Sequence, residues 1–230
     1  MMMEIRKAHD RGMADFGWLQ SAHTFSFGQY YDPEQMGHGQ LVVINDDTVA
    51  PNAGFATHPH RNMEIISYVL EGAIAHKDSQ GNEFVVPAGE FQIMSAGSGI
   101  THSEYNANDD QALKFLQIWI KPNVLETEPS YEQKHFANDK QQQLILSPEG
   151  EAGSLRIKQN AWLQRLTLVT HDNLIVALKH SNTAYLHVAK GEVTLNDTTL
   201  LTTGDGVKLL DESQVQLTAG TDAEVLLFEV

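Results

Sequence analysis

Cysteine is absent from the 230-residue chain. That excludes disulfides and thiolate metal ligands and leaves His, Asp and Glu as the strong side-chain donors. Positive charge is scarce as well: 15 Lys and Arg stand against 30 Asp and Glu, a formal net charge of −15. The balance argues against direct binding to nucleic acid or an anionic membrane, both of which need a positive field, and leaves room for a protein partner. Long apolar runs are missing; none approaches the roughly 20 residues that span a bilayer. The opening Met-Met-Met-Glu-Ile-Arg-Lys lacks the apolar core and cleavage site of a signal peptide, so a cytoplasmic location is expected. No Gly-x-Ser-x-Gly elbow, P-loop or dinucleotide fingerprint occurs. Helix signals are few.

What the chain does have is short alternating or β-branched runs broken by Gly, Pro, Asn and Asp, the pattern of an all-β sandwich or barrel. Gln40–Asn45, Glu64–Leu70, Glu83–Val86, Phe91–Ser95 and Leu113–Ile120 are predicted strands. The polar stretch 123–142 reads as a linker between a domain over 1–122 and a strand-rich domain over 143–230. The two halves resemble each other: Ser67 to Asp78, with Gly72 inside, aligns with Leu186 to Asp197, with Gly191 inside, at an offset of 119. Such a repeat predicts duplication of one β-domain. The offset sets Ala177 and Lys179 opposite His58 and His60, so only the first copy is expected to bind metal.

Two pairs carry the chemistry: His58-Pro59-His60 and His102-Ser103-Glu104. Side chains at i and i+2 share one face of a strand, so two adjacent strands could aim three imidazoles and a carboxylate at one point. Mixed nitrogen and oxygen donors suit a divalent transition metal better than calcium or magnesium. Four such ligands leave coordination positions for substrate. Gly97-Ser98-Gly99 before the second pair is a bend where backbone can approach a site closely. Glu64, four residues past His60, is compatible with a fifth ligand, a group orienting a histidine, or a surface acid, and is left out of the ligand set. His23 and His76 read as structural or pocket-edge residues; His9, His38, His135, His171 and His180 read as surface residues. Phe55, Phe91, Met94, Ile100, Phe115 and Ile118 are candidates for an apolar pocket lining.

The motifs resemble a known family. His58-x-His60-x3-Glu64 followed by Gly72 is similar to the first cupin motif, and Gly81-x5-Pro87-x-Gly89 to the second. Ser21 to Gly28, Thr57 to Glu64 and Met94 to Glu104 resemble the hallmark segments of pirins, and most closely those of bacterial pirin-like quercetin 2,3-dioxygenases. One departure from the general cupin pattern is Gln92, which stands where the second motif usually supplies a ligand histidine. The resemblance implies a bicupin, two tandem jelly-roll β-barrels, with metal ligands His58, His60, His102 and Glu104 in the first. It implies one divalent metal, with iron(II) the leading choice and Mn, Co, Ni, Cu and Zn compatible with the same donors. It also implies cleavage of a flavonol by dioxygen with release of carbon monoxide, and Glu104 is the candidate base. The alternative it carries is a non-enzymatic, metal- or redox-responsive regulator that binds a protein partner. A sugar isomerase is disfavoured, because no phosphate-binding basic cluster is evident.

Overall fold

The computed structural model describes residues 2–230 and holds strands, two single-turn 3-10 segments and no α-helix among them. Among the described residues no helix is long and apolar enough to cross a membrane. The chain divides into two compact units.

The first unit comprises Gly12–Phe136 and Leu155–Gln159. Its larger sheet runs Ser130–His135, Glu90–Ser95, Glu64–Glu71, Leu113–Ile120, Leu41–Val49, Leu19–His23 and Gly12–Asp15. Its smaller sheet runs Gly54–His60, Ile100–Asn106, Ala73–Asp78 and Glu83–Pro87. Every pairing is antiparallel. The core includes Val49, Val69, Ile74, Val86 and Phe115 in one cluster and Ile65, Met94 and Ile100 in another. Close approach between strands depends on Gly54, where a Cβ would stand 2.4 Å from Tyr105 Cα and 2.5 Å from the Glu104 carbonyl oxygen.

The second unit comprises the segment ending at Arg11, Ala137–Ser154 and Asn160–Val230. One sheet carries Met2–Arg6, Gly206–Leu210, Thr183–Lys190, Ala223–Glu229, Trp162–Leu168 and Gln142–Ser147 in that order. The other carries Asn173–Ala177, Gln214–Ala219, Glu192–Leu195 and Thr199–Thr202. Its core is a continuous cluster of Val, Leu and Ala side chains.

These boundaries depart from the simple tandem division. The N-terminal strand pairs with Gly206–Leu210, so the chain's first residues complete the second unit. The stretch 123–142 is not purely a linker, since Ser130–His135 extends the first unit's sheet beside Glu90–Ser95. Both are long-range pairings, which local pattern does not encode. The register also corrects the uniform offset: Val176 pairs with Val215 as His58 pairs with His102, so Val176 and not Ala177 takes the His58 place.

Candidate metal centre

Both predicted pairs lie on strands of the smaller sheet. His58 and His60 alternate with the exposed Thr57 and Pro59 on Gly54–His60. His102 and Glu104 are buried on Ile100–Asn106, the neighbouring strand. Register sets His102 opposite His58, with an irregularity between His102 and Glu104. The ring centroids of His58, His60 and His102 stand 4.6 to 4.9 Å apart. One donor atom from each lies within 4.8 Å of the others. A second group within the same limit joins His102 to Glu104 and His76.

The imidazoles have ring nitrogens available for a metal. His58 Nδ1 is 2.8 Å from the Ala56 carbonyl oxygen. An N–H donated there leaves Nε2 with its lone pair, the usual arrangement of a metal-ligating histidine. Burial lowers His60 to about 4 and His102 to about 3, reinforced by the neighbouring histidines. Both ring nitrogens of His102 are buried without a hydrogen-bond partner in the protein. A buried imidazole left so costs free energy, and an ion at a ring nitrogen relieves part of it. The residues present therefore fit a divalent transition metal.

Glu104 is held by three neutral donors. Ser67 Oγ and Gln92 Nε2 donate to Oε1 at 3.0 and 2.6 Å, and Gln117 Nε2 donates to Oε2 at 2.9 Å. Tyr131 in turn donates its hydroxyl to Gln92 Oε1 at 2.9 Å. Gln92, where a cupin ligand histidine is expected, thus grips the carboxylate. These partners occupy one line of strand register across the larger sheet: His23, Asn45, Gln117, Ser67, Gln92 and Gln133 pair in succession. Ser67 and Gln117 lie in no ligand motif, and Gln92 stands out only by its departure from the cupin pattern. Their only signal is polar identity at core-facing positions of strands.

His76 is nearer the centre than its sequence suggested. It is 1% exposed, its ring stacks on Tyr131, and Nε2 lies 3.3 Å from Asp78 Oδ2. Burial alone would raise Asp78, but hydrogen bonds from Asn82, His76 and the Gln80 backbone hold it below the ordinary carboxylate range. Glu64 takes no place in either ligand group. The strand ends at His60, the chain turns through Asn62 at φ 51°, and Glu64 starts the next strand. Its carboxylate accepts from Ser95 Oγ at 2.7 Å and the Lys158 backbone at 3.1 Å. The Gly97 bend packs elsewhere too: a Cβ there would fall 2.1 Å from the Thr127 carbonyl oxygen.

A cavity of about 1020 Å³ opens on His58, His60 and Glu104. Of the six apolar residues expected to line it, only Phe55 does; Phe91, Met94, Ile100, Phe115 and Ile118 are core. The apolar wall comes instead from Met13, Phe16, Trp18, Phe27, Tyr30 and Trp119. Phe27 and His60 each meet Trp119 edge-on, at 5.4 and 5.1 Å between centroids. His23 lines the cavity beside Phe27, as a pocket residue. His9, His135, His171 and His180 are exposed and His38 is half-buried, and none of them belongs to either candidate ligand group.

The chain matches the pirin family over residues 4–120 and the quercetinase C-terminal cupin domain over 144–230. It is 47% identical to the quercetin 2,3-dioxygenase of Escherichia coli K12 over 229 residues, 100% of this chain and 99% of that one. Among solved structures it is similar to YhhW of E. coli, at TM-score 0.97 and 47% identity, covering 100% of this chain and 97% of that chain. A crystal structure of the same bacterial pirin in complex with nickel(II) matches at TM-score 0.95 and 47% identity, covering 100% and 99%. With two barrels, a convergent histidine cluster and relatedness over its full length, the chain belongs to the pirin family and is an all-β bicupin.

Proposed function

We propose that this protein is a metal-dependent dioxygenase acting on flavonols such as quercetin, with His58, His60, His102 and Glu104 as ligands of one divalent metal ion. The observation that carries the reading is the set of three convergent imidazoles beside a carboxylate, at the end of an aromatic-walled cavity. Three neutral histidines and one carboxylate leave an M²⁺ centre with net charge near +1, which attracts an enolate or phenolate. When bound, the metal supplies a Lewis acid for the substrate oxygen and a centre for dioxygen chemistry. Iron(II) is our leading choice, and Mn, Co, Ni, Cu and Zn suit the same donors. A cytoplasmic location is part of the same reading.

The chain's own residues supply binding, orientation and proton handling. Trp18, Phe27, Phe55 and Trp119 offer ring faces and edges to a flat aromatic substrate and displace water from around it. Glu104 accepts the hydroxyl proton of the substrate: the O–H bond breaks, its electron pair stays on the substrate oxygen, and the proton passes to the carboxylate. Three hydrogen bonds leave the carboxylate one lone pair, on Oε2, and the substrate proton takes it when the bond from Glu104 to the metal is loose. Ser67, Gln92 and Gln117 fix the carboxylate while it acts.

The test is to give iron-loaded protein quercetin in air and follow dioxygen uptake together with carbon monoxide release. Matched uptake and release, abolished by His58→Ala, is expected. No turnover with any of the six metals contradicts the reading.

A further inference from the structure

The polar line that holds Glu104 extends past Gln117 to Asn45, and Asp47 lies beside it on the same strand; the reading above gives neither a task. Asn45, Asp47 and Gln117 are 2%, 2% and 8% exposed, and all three line the cavity. Asn45 and Asp47 are two apart on Leu41–Val49, so they share a face, and Gln117 pairs directly with Asn45. Each carries an oxygen without a hydrogen-bond partner in the protein: Asn45 Oδ1, Asp47 Oδ1 and Gln117 Oε1. The Gln117 amide is oriented by its Nε2 bond to Glu104, and Oε1 is the end without a partner.

The two amide oxygens are acceptors, as is the ionised Asp47 carboxylate, and a buried acceptor left without a donor costs roughly 1–3 kcal/mol. One such atom is common in a folded protein. Three on neighbouring positions of one sheet face, against a cavity, point to a ligand that brings donors. The aromatic wall recognises rings, and rings alone cannot satisfy these oxygens; hydroxyl groups can. We propose that Asn45, Asp47 and Gln117 form an acceptor subsite that binds a hydroxyl of the aromatic substrate other than the one reacting, and so selects polyhydroxylated aromatics. The inference rests on the aromatic-substrate reading and names its substrate class more narrowly.

The electrostatics agree. Burial pushes the Asp47 carboxyl up to about 7, the Ser21 hydroxyl opposes the rise, and the Asp46 and Glu104 charges add to it. The titratable groups about it are Asp46 on its own strand, His23 on the adjoining strand and Glu104 across the barrel. Near neutral pH an incoming O–H donor therefore stabilises a carboxylate that the protein itself supports poorly. The corresponding place in the second barrel is Leu166, which pairs with Val225 as Asp47 pairs with Phe115. That side chain lies in an apolar core.

The experiment is anaerobic binding to the iron-supplied protein, read by quenching of the tryptophans at the cavity wall. Quercetin is compared with 3-hydroxyflavone, which keeps the reacting hydroxyl and lacks the others. The wild type is expected to bind quercetin about tenfold or more tightly than 3-hydroxyflavone, the scale of a recognised hydroxyl. Asp47→Leu should remove most of that preference while leaving 3-hydroxyflavone affinity within about threefold. Asp47→Asn, which keeps an acceptor and the side-chain volume, should lose part of it and serves if the leucine variant does not fold. Equal binding of the two flavonols by the wild type, or an unchanged preference in the asparagine variant, overturns the proposal. Admitting air separates it from the parent reading: preference without dioxygen uptake sinks the dioxygenase and spares the subsite, and turnover without preference does the reverse.

Discussion

In the first barrel the strand Ile100–Asn106 buries His102 and Glu104; in the second the matching strand Gln214–Ala219 buries Val215 and Leu217. The match follows from register, since Leu217 pairs with Leu195 as Glu104 pairs with His76. The substitution is systematic. Ser67 is answered by Leu186, Gln92 by Val207 and Gln117 by Leu227, each identified by the same strand pairings. One strand plan therefore carries two interiors: a polar one that tolerates a cavity and an apolar one that closes on itself. The fold is indifferent to which it holds. The proposed chemistry rests on a few inward positions.

Exchanging those positions breaks the comparison most sharply. Leu217→Glu places the first barrel's carboxylate in the second barrel's core, with no Ser or Gln to receive it. It should cost roughly 4 kcal/mol or more, as for an unpaired buried charge, and a urea-unfolding midpoint measures it. The reciprocal Glu104→Leu strands the donors of Ser67, Gln92 and Gln117 and should cost less, roughly 1–3 kcal/mol. Equal costs would mean that the first barrel is as intolerant as the second.

Glu104→Gln is the sharper functional change. It should keep some metal and lose most quercetin turnover; full turnover by a metal-loaded variant rules out Glu104 as the base. Next in size is Gln92→Leu, which removes one donor to Glu104. An expected loss of about 10–100-fold in metal affinity, with little change in unfolding midpoint, would mark it as a residue that orients a ligand. Metal affinity equal to wild type would leave Gln92 with a packing role alone.

Acid gives the smallest contrast. Folded His60 and His102 sit at about 4 and about 3, and His187 of the second barrel at about 3, chiefly through burial. The unfolded chain takes protons on these groups near 6.5. Below that value the unfolded state binds more protons, so metal-free stability should fall as pH drops from 6.5 toward 4. Metal should flatten the decline by binding the folded state. A thermal midpoint constant across that window contradicts the assignment of buried neutral imidazoles.

Sequence exposed the four proposed ligands because a period of two is a local property, visible in His58-x-His60 and His102-x-Glu104. It exposed the strands and the repeat for the same reason. His76, Ser67 and Gln117 were hidden, since each is a single polar residue in an otherwise ordinary strand. They meet only through a register set by long-range pairing. The aromatic wall was hidden too: Met13, Phe16 and Trp18 precede any motif, and their place follows from the pairing of Leu19–His23 with Leu41–Val49. The N-terminal strand carries no mark of its partner some 200 residues away.

The contrast between the barrels is tested most directly by the metal content of the purified, reconstituted protein, measured by elemental analysis per chain. One ion per chain in the wild type, and close to none in a folded His102→Ala variant, is the predicted result. Two ions per chain, or full occupancy after loss of His102, would contradict the account.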